Sequence, residues 1–365
     1  MHTVSKYNME TAILMKNHFS ILFSFFLIIN CTSFFAEASL NKPEKEDSLI
    51  LFCGNSNLEL ANAITKELQI PIGKAVVKRY NDEEINIQIN ENVRNQDVFV
   101  IQSTCTTPYA SVNDNLLELY LMIRALKRAS VKSVTAIIPY YGYARQDRKN
   151  SPRVPISAAD IAMMLETAGT DRIIAIDLHC GQIQGFFQHI PADNLYASII
   201  SVPYFANKQL VNPVVISPDA GGVSRAKRFK ENLAKEGVNA GFGIIIKQRA
   251  DAGVVAQMDL VGDVKNRDVI IVDDICDTAG TLVKAGKELK KFGARNVYAF
   301  ITHPVFSGPA LGRIKDSDFT EVVVTDTIPL DGDIPENITQ LSVAPLLAEV
   351  IHRLQSGKSV SKVFQ

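Results

Sequence analysis

Asp273, Asp274 and Asp277 follow an apolar, β-branched run, and Thr278, Ala279, Gly280 and Thr281 come directly after them. Ile270, Ile271 and Val272 read as a buried strand. The small residues beyond let backbone N–H groups approach an anion closely, and the helix that follows adds a favourable dipole at its N-terminus. On that helix Leu282, Ala285, Gly286, Leu289 and Phe292 form one stripe, with Lys284, Lys287, Lys290 and Lys291 off it, and Gly293 ends it. Such strand–loop–helix units bind ligands outside the carboxyl ends of parallel strands. Two adjacent carboxylates beside a phosphate cradle repel a phosphate. They make sense if the ligand also carries vicinal hydroxyls or a Mg2+ ion, and a ribose phosphate has both a phosphate and a diol. The plain alternative for this stretch alone is a strand-to-helix turn with acidic capping residues.

Other residues invite the same kind of chemistry. Tyr140-Tyr141-Gly142-Tyr143-Ala144-Arg145-Gln146-Asp147-Arg148-Lys149 places tyrosines and cations around a glycine, a composition able to stack on a base and neutralise phosphates. A solvated basic loop is the plain reading. His179 stands directly after a strand-like run, and Asp219 stands at a strand end before a helix. The cysteines at 31, 53, 105, 180 and 276 show no paired metal-ligand spacing, so neither a disulfide framework nor a zinc site is expected.

The elements that must position these residues alternate. Strand patterns fall at 48–53, 75–79, 85–89, 97–102, 134–138 and 172–177, with helical patterns at 57–68, 113–129 and 157–168. A second series has strands at 214–217, 242–247, 296–302 and 321–325 around the central unit, with helices at 222–235 and 344–355. The two series meet near residues 190–205. Strands alternating with helices imply α/β domains built on parallel sheets. Residues 139–155 and 248–267 read as long polar loops, and loops of that length in compact domains are usually functional. The chain has 365 residues, 47% hydrophobic and 21% charged, with formal net charge −1, which suggests about two domains. Near-zero charge argues against bulk nucleic-acid binding.

The central stretch resembles the signature loop of the type I phosphoribosyltransferase superfamily. The Tyr140–Lys149 string resembles the ATP loop of ribose-phosphate pyrophosphokinases (phosphoribosyl pyrophosphate synthetases). Asp177-Leu178-His179 with Gln182-Ile183-Gln184-Gly185-Phe186-Phe187, Ser217-Pro218-Asp219-Ala220-Gly221-Gly222, Lys247-x-Arg249, Tyr80-Asn81-Asp82-Glu83-Glu84, Thr302-His303-Pro304 and the 341–347 stretch match the same family in order. The match runs from about residue 49 to the end.

The resemblance implies an α/β fold of two phosphoribosyltransferase-like domains, each a mostly parallel sheet flanked by helices. The expected divisions are an extension at 1–45, an N-terminal domain with the ATP loop at 46–197, and a C-terminal domain with the ribose-phosphate loop at 198–365. It implies transfer of the β,γ-diphosphoryl group of ATP to the anomeric hydroxyl of ribose 5-phosphate. By the same resemblance Lys247 and Arg249 are catalytic, and Arg249 also reaches ribose 5-phosphate. Arg145 and Gln146 line the adenine nucleotide, with Asp82, Glu83 and Glu84 arriving from a neighbouring subunit. Asp273 and Asp274 hold the ribose hydroxyls, while Asp277, Thr278, Ala279, Gly280 and Thr281 hold the 5-phosphate. His179 and Asp219 contact Mg2+, which favours a few carboxylates plus substrate phosphates. The working form implied is a homohexamer.

Three departures stand out. Glu83 replaces a usual glycine, Gln248 replaces a frequent arginine, and Gln188-His189 occupies a place where many members are acidic, so no metal role is assigned there. A phosphoribosyltransferase would need only the central loop and one domain. A catalytically silent regulatory subunit would be expected to lose Lys247, Arg249, His179 or the acidic pair, all of which are present.

The N-terminus carries Lys6 and Lys16, an apolar run at 21–29, and Ala36-Glu37-Ala38 before Ser39, a signal-peptide-like pattern. The run is too short and too interrupted for a membrane span. A start placed too far upstream, a targeting peptide and a membrane-associating extension are the three readings of residues 1–45. A consumer of ATP belongs in the cytosol, so the expectation is a cytoplasmic enzyme, with targeting or export through residues 1–38 as the alternative.

Overall fold

The computed structural model describes residues 49–251 and 254–364, with side chains except at 247–257 and 364. The extension at 1–45, Cys31 included, lies outside the described residues. The first series runs β1 (Ile50–Cys53), α1 (Leu58–Leu68), the ribbon β2 (Ala75–Arg79) and β3 (Ile85–Ile89), β4 (Asp97–Ile101), α2 (Val112–Arg128), β5 (Ser133–Ile138), α3 (Ser157–Ala168), β6 (Arg172–Ile176), a 3-10 turn (Gly181–Phe186), β7 (Ala192–Leu195) and α4 (Ser198–Ala206). The second runs β8 (Val214–Ser217), α5 (Val223–Lys235), β9 (Gly241–Asp251), β10 (Val254–Val261), β11 (Asp268–Cys276), α6 (Gly280–Lys291), β12 (Asn296–Pro304), α7 (Ala310–Lys315), β13 (Glu321–Thr325), β14 (Ile338–Leu341) and α8 (Ala344–Gln355).

One sheet has the order β1-β4-β5-β6-β7, all parallel. The other has β10-β9-β8-β11-β12-β13-β14, parallel apart from the β9–β10 pair. Each series therefore lays down five parallel strands in chain order, with a two-stranded ribbon inserted after its first helix. This repeat is plain in the topology and faint in the residues.

The central strands are apolar because both sheet faces are covered. Leu51, Phe99 and Ile174 of the first sheet and Ile270, Val272 and Phe300 of the second share one core with residues of α1 and α8. The opposite faces pack separately, against α2 and α3 in the first sheet and against α6 and α7 in the second. Burial on both faces holds strand ends still, as a site built on them requires.

Local signals set the helix limits. The Asn57 side chain accepts from Leu60 N–H to cap α1, and Ser111 with Asp114 forms a capping box on α2. Gly169 and Gly293 take positive φ, +98° and +91°, just past α3 and α6, where a left-handed residue closes a helix.

The reading of 248–267 as a loop is corrected. β9 continues to Asp251 and β10 pairs with it antiparallel, with register shifts between Val254 and Gln257. Polar residues and Gly253 break the alternation there, so no clean period of two marks the strand. β7 and β14, four residues each, and the short helices α4 and α7 carry too little periodicity to stand out. Among the described residues no helix is long and apolar enough to cross a membrane.

Candidate active site

The carboxyl ends of β6, β8 and β11 open into one cleft of about 1100 Å3. β11 carries Asp273 and Asp274 inside the strand rather than after it, with Asp273 in register with Ile301 of β12. Asp274 is buried and Asp273 half-buried. Asp274 Oδ2 lies 2.7 Å from His179 Nδ1, and its Oδ1 lies 3.0 Å from Arg225 Nη1. The same Nη1 is 3.5 Å from Asp273 Oδ1, and Arg225 Nη2 donates to the His179 carbonyl at 3.5 Å. Two carboxylates, an imidazole and a guanidinium thus interlock.

Their protonation follows from that contact set. Burial, then the neighbouring Asp274 charge, push the Asp273 carboxyl up to about 8, against the pull of Arg225. For Asp274, burial works in the same direction, but the Arg225 charge and the His179 hydrogen bond prevail and keep it ionised. The hydrogen bond to Asp274 raises His179 above 6.5, although burial opposes it. Burial alone would lower Arg225, but the surrounding carboxylates of Asp274, Asp177, Asp273 and Asp219 outweigh it.

The loop after β11 takes an unusual backbone turn at the start of α6. Ala279 caps α6 at φ +58°, a left-handed conformation that costs a non-glycine residue about 1 kcal/mol or more. Such a residue beside a helix start turns successive N–H groups towards one concavity. Arg313 of α7 braces the loop by donating to the Thr278 carbonyl at 2.9 Å. A Cβ on Gly280 would come within 3.2 Å of that guanidinium, so a side chain there would shift Arg313 by a few tenths of an ångström.

Asp277 is held by Arg145 across the cleft, with Nη1 2.6 Å from Oδ2. Burial raises the Asp277 carboxyl, yet hydrogen bonds from Arg145 and Ser307 win and hold it below the ordinary aspartate value. Asp219 closes its own turn, its Oδ1 accepting from Gly221 and Gly222 N–H at 3.0 and 3.1 Å.

The cleft brings together Arg145, His179, Asp219, Asp273, Asp274, Asp277, Thr278, Ala279, Gly280 and Thr281. Gln146 is not among the lining residues. Its side chain accepts from Ser157 Oγ at the start of α3. Asp82, Glu83 and Glu84 sit in the exposed turn between β2 and β3, away from the cleft lining. Glu83 has φ +70°, which accounts physically for the glycine expected there. Lys247 and Arg249 lie on β9, and their side chains fall outside the described residues. Sequence reasoning missed Arg225 and the Arg228–Tyr196 stack, with the guanidinium 3.6 Å from the ring centroid, and quoted Asp177 without giving it a role of its own. Arg225 lies in the first turn of α5, six residues after Asp219, which was the available signal.

Topology and cleft define an α/β protein of two phosphoribosyltransferase-like sheets, each mostly parallel and flanked by helices. Residues 49–169 match the N-terminal domain of ribose phosphate pyrophosphokinase, and residues 246–365 match the phosphoribosyl synthetase-associated domain. The ribose-phosphate pyrophosphokinase of Campylobacter jejuni is 50% identical over 314 residues, covering 86% of this chain and 98% of that protein. That of Wolinella succinogenes is 51% identical over the same shares. The crystal structure of phosphoribosylpyrophosphate synthetase from Mycobacterium smegmatis superposes with a TM-score of 0.78 at 38% identity, over 85% of this chain and 99% of that one. This chain belongs to the ribose-phosphate pyrophosphokinase family.

Proposed function

We propose that this chain transfers the β,γ-diphosphoryl group of ATP to the anomeric hydroxyl of ribose 5-phosphate, giving 5-phospho-α-D-ribose 1-diphosphate and AMP. The observation that carries the reading is the meeting, in one cleft, of the acidic pair with its anion cradle and of the cationic loop bearing Arg145, joined by the 2.6 Å Arg145–Asp277 contact. Relatives at about half identity over most of the chain bear the name of this activity.

In the reaction the sugar O1–Pβ bond forms as the Pα–O–Pβ bridge breaks and AMP leaves. Catalysis is then mainly positioning and charge neutralisation. Asp273 and Asp274 hold the ribose diol. The N–H and hydroxyl donors of 277–281 hold the 5-phosphate, and Arg145 leaves Asp277 for a nucleotide phosphate. Gln146 supports the Arg145 loop from α3, and the Asp82–Glu84 turn serves a neighbouring subunit's nucleotide. Lys247 and Arg249 stabilise charge on the moving group, Arg249 also meeting the sugar phosphate.

The donor set suits Mg2+. Asp273 and Asp219 offer the hard oxygens that Mg2+ takes, with the rest of its shell left to substrate phosphates and water, since among the described residues no three His, Cys, Asp or Glu side chains converge to hold a metal ion. With Nδ1 engaged by Asp274, His179 can ligate only through Nε2, the usual carboxylate-oriented arrangement. Bound there, Mg2+ supplies neutralisation of phosphate charge and polarisation of the β-phosphorus.

The same reading takes the chain as two domains, 46–197 and 198–365, working as a cytoplasmic homohexamer. Sedimentation velocity tests the assembly, with six chains expected and a monomer contradicting it. Incubation with ATP, ribose 5-phosphate and Mg2+ tests the activity. AMP and the ribose diphosphate should appear together in equal amounts, and ADP in place of AMP would contradict it.

A further inference from the structure

We propose that His303 is a positioning residue, the buried node that sets the His179 imidazole against the acidic pair. Its consequence for turnover rests on the diphosphoryl-transfer reading above, while its geometry stands apart from that reading.

His303 is 2% exposed, on β12. Its Nε2 lies 3.0 Å from the Ile176 carbonyl and 3.3 Å from that of Asp177. Only an N–H can meet two carbonyl oxygens, so the neutral ring carries its proton on Nε2. Nδ1 is then the acceptor, 2.9 Å from Thr327 Oγ1. The ring also packs on Tyr140, the first residue of the Arg145-bearing loop, with centroids 5.0 Å apart. Along its own strand His303 pairs in register with Ile275, the residue after Asp274. One side chain thus touches the base of the nucleotide loop and the end of β6, and its backbone lies beside the acidic strand.

Asp177 is what this grip controls. It has φ +39°, a conformation that persists in a non-glycine residue only where surroundings over-determine it. His303 holds its carbonyl. Thr302 Oγ1 donates to its Oδ2 at 2.7 Å, and Ala197 N–H donates to the same oxygen at 3.1 Å. Only Leu178 separates Asp177 from His179, and its N–H is fixed by Asn194 Oδ1 at 3.0 Å. The imidazole therefore inherits its place from two consecutive residues of β12, in the strand beside Asp273 and Asp274. Orienting partners of this kind are typically worth about 10–100-fold in activity or metal affinity.

The test compares His303→Leu, which removes both ring nitrogens, with His303→Gln, whose amide N–H can reach the two carbonyls. Thr302→Val serves as a second probe of the same grip if His303→Leu does not fold. On folded full-length protein, kcat should fall about 10–100-fold in His303→Leu, with both KM values within about threefold and His303→Gln close to wild type. The second readout is a crystal structure of His303→Leu or Thr302→Val, without substrate. There the His179–Asp274 contact should open beyond about 3.5 Å. A contact that stays closed in the variant, or equal kcat loss in His303→Leu and His303→Gln, overturns the proposal. Wild-type protein that makes no AMP would overturn the diphosphoryl-transfer reading, and the crystallographic distance would still decide the positioning role.

Discussion

Arg225 lies three residues past Gly222 on a helix that also carries Lys227, Arg228 and Lys230, and that basic run conceals it. Its guanidinium lies 3.0 and 3.5 Å from the two carboxylates of the acidic pair. Removing one partner from a buried ion pair leaves the other charge uncompensated, which typically costs 3–5 kcal/mol. Arg225→Met is therefore expected to lose about 3 kcal/mol by urea unfolding, with Asp274→Asn in the same chain recovering part of it. A midpoint unchanged by Arg225→Met would show that the pair needs no such counter-ion. Glu83 is the converse case, a residue held at φ +70° where glycine is at ease. Glu83→Gly trades about 1 kcal/mol of backbone strain against a smaller gain in unfolded-state freedom, so stability should hold or rise by up to about 1 kcal/mol. A clear drop in melting temperature would mean that the Glu83 contact with Arg79, at 3.4 Å, outweighs the strain. The residues legible in sequence are those whose chemistry is contiguous, such as Asp273 to Thr281. The Arg145–Asp277 pair joins positions 132 apart, and no local pattern announces it.

At the scale of elements, the buried parallel strands and their amphipathic helices were readable because burial on both faces demands continuous apolar runs. β2, β3, β8, β13, α3 and α8 match their sequence-based limits end for end. The start of β9 was readable at 242–247, but its end and β10 were not, since register shifts between Val254 and Gln257 interrupt the alternation. Capping decides where α2 begins. Ser111 accepts from Asp114 N–H, and Asp114 Oδ2 accepts from Ser111 N–H at 2.7 Å. α2 in turn presents Glu118, whose Oε1 accepts from Asn55 N–H at 2.6 Å and from Gln102 Nε2 at 2.8 Å, closing the loop after β1. Ser111→Ala should lower stability by about 1 kcal/mol in chemical denaturation, with KM for both substrates unchanged. A loss under a few tenths would mean that the helix start is held by tertiary packing instead.

At the scale of the whole molecule, two sheets share one core, and a polar seam beneath the cleft joins them. His303 bridges Ile176 and Thr327, and Ser103 Oγ donates to the Thr327 carbonyl at 2.6 Å. Burial keeps the His303 ring neutral by lowering its pKa below 6.5. In the unfolded chain it takes up a proton near that ordinary value, so its contribution is intact above pH 6.5 and drains as pH falls towards the lowered folded value. Wild type should lose stability between pH 6.5 and 5 more steeply than His303→Gln, as read by urea midpoints. Parallel profiles would show that His303 protonates freely in the folded protein.

The central claim is that a diphosphoryl group, not a single phosphoryl group, crosses this cleft. The most direct measurement incubates the protein with Mg2+, ribose 5-phosphate and ATP labelled at the β phosphorus, then follows the label through the separated products. The label should leave entirely with the ribose and be absent from AMP. Label appearing in ADP, or remaining in ATP while the folded protein binds both substrates, would contradict the account.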